Sequence, residues 1–102
     1  MAYETAGFKL LTDGLSGPST MKTWLLDSVD AIATVNTTNY VSDGYKKGAR
    51  QGDLVWVRTK TTTIGGPTTA VNLCFVIDEA TGSDGLGIDL TDGLVVTPTD
   101  TD

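Results

Sequence analysis

A chain of 102 residues has room for one domain around a single modest core. Apolar and aromatic residues make up 39% of it and mean hydropathy is −0.02, which excludes a disordered chain, while a net charge of −6 disfavours wrapping nucleic acid. There is no His and only one Cys, which removes the commonest general base, every Ser-His or Cys-His nucleophile pair, an internal disulfide and a thiolate zinc site.

The 18 Thr and 12 Gly, with many Val, favour strands and turns, because branched Cβ atoms suit a pleated sheet and crowd a helix. Residues 1–20 hold Asp13-Gly14 and Gly17-Pro18, punctuation too dense for a helix, and read as an extended N-terminal arm with one short strand. A β-rich domain is expected over 21–97. Its first strand is Lys22–Asp27, whose alternation puts Trp24 and Leu26 on one face. Asp27 or Ser28 is placed to cap a short helix over Val29–Val35, with Val29, Ile32 and Ala33 as its apolar stripe. Ser42-Asp43 is placed to cap a second turn through Tyr45–Gly48, closed by Gly48.

The firmest elements follow. Leu54–Thr63 and Thr69–Asp78 read as a hairpin turned by Gly65-Gly66-Pro67, with Val71, Leu73, Phe75 and Ile77 facing the core alongside Val55 or Trp56. Leu86–Leu90 and Leu94–Thr97 read as a second strand pair joined by Asp92-Gly93, a type I′ turn dipeptide. Residues 98–102 form a flexible acidic tail of Pro, Thr and Asp. The pattern predicts a mainly β fold: a small single-domain sandwich or barrel-like structure with one or two short helices.

Charge is divided along the chain. All seven cations precede residue 61, so the first sixty residues sum to +1 and the rest to −7. The acidic end is either simply solvated or meets the basic middle of a neighbouring copy. No basic region followed by an apolar run opens the chain, so no signal peptide is expected, and no apolar run is long enough for a membrane helix.

The candidate sites all have plainer readings. Asp13, Asp43, Asp84 and Asp92 each precede Gly, which makes them turn residues before they are catalytic carboxylates. Asp84–Leu90 partly matches the Gly-rich calcium-binding nonapeptide, but it occurs once and such sites need stacked repeats. Gly44–Arg50 combines Tyr45 with three cations, a combination that also fits a helix end complementing its dipole. Asn36-Thr37-Thr38 fits a glycosylation sequon, which means nothing without a secretory route. Trp24, Tyr40 and Trp56 could stack sugar rings, though Trp56 between Val55 and Val57 suits core or interface burial better. Cys74 lies in an apolar strand as a small buried hydrophobe. No catalytic, cofactor-binding or metal-binding residue is assigned.

Across residues 22–77 the order of features resembles small bacteriophage virion proteins. The resemblance is carried by Trp24, Asp30-Ala31, Thr34-Val35, Tyr40 with Asp43, Gly52-Asp53, and the strand holding Val55 and Val57. The family's corner reads Gly-Tyr-Phe-Asn, whereas Asn39-Tyr40-Val41-Ser42 keeps the Tyr and loses the Gly and Phe. The resemblance implies a non-enzymatic structural component of the virion surface, made in the host bacterial cytoplasm: an oligomeric capsid decoration or head-fibre protein. Its expected partners are further copies, with a trimer favoured, and capsid or other virion proteins, without nucleic acid, membrane or cofactor. A tail-fibre-associated or free carbohydrate-binding module recognising a host surface is the alternative.

Overall fold

The computed structural model describes residues 3–12, 21–97 and 99. A 3-10 turn at Thr5–Gly7 leads into β1 (Phe8–Thr12), followed by β2 (Thr23–Ser28), α1 (Ile32–Val35), α2 (Gly44–Lys47), β3 (Leu54–Lys60), β4 (Thr68–Thr81), β5 (Gly87–Leu90) and β6 (Leu94–Val96). Strands take 45% of the described residues and helix 12%, in one six-stranded sheet with two short helices, the mainly β single domain that the sequence predicts.

The sheet runs β1-β2-β3-β4-β5, with β6 also on β4. The β1/β2 and β3/β4 pairs are antiparallel, and β2 and β3 are parallel. A parallel step needs a crossover, and both helices lie within it. The β3–β4 hairpin stands as expected, with Gly65-Gly66-Pro67 in its turn.

Both helices are single turns, and their caps differ from expectation. The first starts at Ile32, and Ala31 at its N-cap makes no side-chain cap bond. Its expected caps are engaged elsewhere: Asp27 pairs with Arg58, and the Ser28 hydroxyl accepts from the Asp30 amide. Asp43 does stand at the N-cap of α2 but makes no cap bond, because its carboxylate takes the hydroxyls of Tyr3 and Thr5. Gly48 closes α2 at φ +117°, a conformation that favours Gly.

Three expectations fail on the strands. First, β5 and β6 do not pair with each other; both pair with β4. At 14 residues β4 is long enough for two neighbours, taking β6 along Val71–Leu73 and β5 beyond Val76, where register shifts between Val76 and Asp78 and between Glu79 and Thr81 break the ladder. Second, the one short strand expected in the N-terminal arm is present as β1, but it belongs to the sheet. Phe8 stacks on Trp24 with ring centroids 4.7 Å apart, and β1 forms the edge of the sheet. Residues 1–2, 13–20, 98 and 100–102, which belong to the expected arm and tail, lie outside the described residues.

Third, β4 presents the opposite face to the core. Asn72, Cys74 and Val76 are buried, while Val71 and Leu73 are only partly covered and Phe75 and Ile77 are exposed at 40% and 48%. The core takes Phe8, Trp24, Leu26, Val55, Val57, Cys74 and Val76 from the sheet's inner face. Val35, Val41 and Ala49 from the crossover and Ile88 and Leu90 from β5 close over them. Gly44 permits this approach, since a Cβ there would lie 2.6 Å from Ile88 Cγ1. Val55 therefore faces inward as expected, and Trp56 points the other way.

Candidate interaction surface

The polar residues singled out by the sequence work as pins behind the sheet. Asp53 is buried and accepts three N–H bonds: from Trp24 Nε1 at 3.1 Å, the Arg50 amide at 3.0 Å and the Lys22 amide at 3.1 Å. A buried carboxylate is tolerated only when hydrogen-bonded in this way. Gly52 and Asp53 also exchange backbone bonds with Val76, tying the start of β3 to β4.

A second pin holds the crossover. Tyr40 Oη donates to Asp30 Oδ2 at 2.6 Å and lies 2.8 Å from Ser28 Oγ. Burial, reinforced by the bond to Asp30, pushes the Tyr40 phenol up to about 12. The Tyr3 ring meets Tyr40 edge-on, with centroids 5.8 Å apart, and its hydroxyl donates to Asp43. Burial, then the same bond, pushes the Tyr3 phenol far above its ordinary value. Burial pushes the Asp43 carboxyl up, but the Thr5 and Tyr3 hydroxyls and the Lys47 charge together outweigh it, leaving it below the usual range. Lys47 Nζ donates to the Thr5 and Phe8 carbonyls and so clamps the N-terminal segment to α2.

The other candidates resolve as structure. Of the three cations in 44–50, Lys47 is spent on those carbonyls, and Arg50 lies 3.9 Å over the Tyr45 ring while donating to the Tyr45 and Ala49 carbonyls. Asp84 accepts from the Leu86 amide in a local turn, and Asp89 from the Thr38 hydroxyl. Trp24 and Trp56 lie on opposite faces of the sheet, so the proposed sugar-stacking trio is not assembled. Burial, then the Asp92 charge, pushes the Cys74 thiol up to about 11, which keeps it protonated and unreactive at neutral pH. Among the described residues there is no group of three His, Cys, Asp or Glu side chains able to hold a metal, and no helix long and apolar enough to cross a membrane.

The outer face of the sheet is different in kind. Strand registers lay its side chains in rows: Thr23, Leu54 and Phe75; then Lys9, Leu25, Trp56, Leu73 and Leu94; then Asp27, Arg58, Val71 and Val96. Directly opposed residues in such rows are about 4.5–5.5 Å apart, close enough to form a continuous surface. Eight apolar side chains thus share one face, with Leu94 71% exposed at its margin. In the third row Arg58 Nε and Nη2 grip the Asp27 carboxylate at 2.7 and 2.9 Å, and this bond raises the guanidinium pKa further. That pair neutralises itself. A groove of about 250 Å³ beside Val71, Val95, Val96 and Thr97 extends the surface along β4 and β6.

Val71, Leu73, Phe75 and Ile77 alternate along β4 as one apolar stripe, a pattern that by itself predicts an inward face. The signal that points the other way is that β2 and β3 carry apolar residues on both faces, as in Leu25 beside Leu26 and Trp56 beside Val57. No family model matches the chain, and no curated protein and no solved structure matches it.

Proposed function

We propose that the chain is a non-enzymatic structural component of a bacteriophage virion surface, acting as a homo-oligomeric capsid decoration or head-fibre protein. The observation that carries this reading is how the residues of the resemblance are used. Trp24 and Asp53 bond to each other, Tyr40 bonds to Asp30, and Val35, Val55 and Val57 lie together in the core. A pattern whose aromatic, carboxylate and Val members are spent on holding a shape suits a protein whose role is that shape. The carboxylates of Asp30, Asp43 and Asp53, which an enzyme would keep for substrate, are engaged by the framework. Three copies is the number that the resemblance implies, attached to capsid or other virion proteins.

The test is to detect the chain in purified particles by mass spectrometry and to locate it by antibody labelling in electron microscopy. Labelling at a regular set of positions on the head supports the proposal. Absence from particles, with binding of the isolated protein to host-surface oligosaccharide, overturns it in favour of the carbohydrate-binding module.

A further inference from the structure

We infer that Asp84 is a site of spontaneous covalent modification, where the Asp84-Gly85 peptide closes to a succinimide and reopens as isoaspartate. The inference concerns the isolated chain and does not rest on the virion reading. No catalyst is needed. The Gly85 nitrogen bonds to Asp84 Cγ and gives up its proton, and one carboxyl oxygen leaves with it as water. Water then opens the ring at either carbonyl, restoring Asp84 or leaving the main chain to run through Cγ. A following residue without a side chain leaves the attacking nitrogen open, which makes Asp-Gly the reactive pair. Three such pairs lie among the described residues, at Asp43, Asp84 and Asp92.

Geometry singles out Asp84. Its Oδ1 accepts from the Leu86 amide at 3.1 Å, two residues on, so the side chain curls back over the intervening peptide and brings Cγ toward the Gly85 nitrogen. The same Leu86 N–H points at the oxygen that gains negative charge as the ring closes. Gly85 is uncrowded: a Cβ there would meet nothing nearer than the Ala80 carbonyl oxygen at 3.9 Å. Asp84 itself is exposed, so water reaches the ring.

The other two carboxylates are drawn away from their own peptides. Asp43 takes the hydroxyls of Tyr3 and Thr5, and Asp92 takes the Asn36 side-chain amide at 2.9 Å. Their glycines are packed: a Cβ on Gly44 would lie 2.6 Å from Ile88 Cγ1, and one on Gly93 2.5 Å from Cys74 Sγ. Releasing one such charge-assisted bond before ring closure slows it by at least about tenfold.

The change does not stay local. The Leu86 carbonyl accepts from the Tyr45 and Lys46 amides at 2.9 and 3.3 Å, and so caps α2, whose N-cap residue makes no side-chain bond. An extra backbone methylene two residues earlier displaces that carbonyl and loosens the start of α2.

The test is to age the full chain at physiological temperature in water carrying a heavy oxygen isotope, then map its peptides with electron-transfer fragmentation. Each residue whose ring has opened carries the label. Label and isoaspartate are expected at Asp84 at least about tenfold faster than at Asp43 or Asp92. In urea, where the fold is lost, the three should react at similar rates. Asp84→Glu keeps the exposed carboxylate but needs a larger ring, and should abolish the product at that position. Amide hydrogen exchange at Tyr45 and Lys46 should quicken in the isomerised fraction. No label at Asp84, equal labelling of the three pairs in the folded chain, or a preference for Asp84 that persists in urea would overturn the inference. Exchange at Tyr45 and Lys46 unchanged by isomerisation would overturn its link to α2.

Discussion

The inner and outer faces of the central sheet are built from similar side chains and meet different surroundings. Inward, Trp24, Leu26, Val55, Val57, Cys74 and Val76 are covered by the crossover and β5. Outward, Leu25, Trp56, Leu73, Phe75 and Leu94 have no such layer among the described residues, and Phe75 and Leu94 are exposed. Polar chemistry divides in the same way. The inner side is pinned by Asp53 and the Tyr40–Asp30–Ser28 cluster, whereas the outer side carries one self-satisfied Arg58–Asp27 pair. Hydrophobicity alone therefore does not say which face is the core. The layer of chain that can reach a face decides that, and the parallel β2–β3 step commits residues 29–53 to one side only.

The sharpest break of this comparison is on the inner face. Trp24→Ala removes the ring stacked on Phe8 and the donor to Asp53, and should cost about 3–5 kcal/mol in urea unfolding, much of a small domain's stability. A loss below about 1 kcal/mol would mean that the inner face is not the core.

Next in size is Asp53→Ala, which leaves the Trp24 indole and the Lys22 and Arg50 amides without their acceptor. We expect a loss of roughly 2–3 kcal/mol. Asp53→Asn should recover part of it, because one amide oxygen still accepts.

The crossover can be probed by base. Unfolded phenols ionise near pH 10, while folded Tyr40 titrates at about 12 and Tyr3 higher still. Between those values the folded chain holds more protons than the unfolded one, so stability falls as pH rises. The contribution is complete below pH 10 and is lost as pH climbs through 12. Tyr40→Phe should be less stable at neutral pH, with a shallower alkaline decline in thermal melting. An unchanged slope would contradict the role given to the Tyr40–Asp30 bond.

Smallest of all, Phe75→Ala in the diluted chain should cost less than about 1 kcal/mol, because its ring is 40% exposed. The alternation of β4 taken by itself predicts several times that.

What the sequence made legible follows from locality. The β3–β4 hairpin was readable because Gly65-Gly66-Pro67 and the flanking β-branched runs act on neighbours in the chain. Trp24 and Leu26 on one face, Gly48 as a helix stop and Cys74 as a buried thiol were readable on the same grounds. The unreadable parts were long-range. Asp43 looks like a cap until Tyr3 and Thr5, some forty residues away, claim it. Asp92-Gly93 looks like a hairpin turn until the length of β4 offers β5 and β6 separate places along one strand. The outer face was hidden in plain view, as four apolar residues on a strand whose other side was covered first.

The inner face of the sheet is closed by the chain's own crossover and β5, and self-association belongs to the oligomer proposed above. The most direct test is the urea midpoint measured over a wide dilution series. If the chain forms the proposed homo-oligomer and only the folded state associates, the midpoint rises with protein concentration. A midpoint independent of concentration would contradict the proposed oligomer.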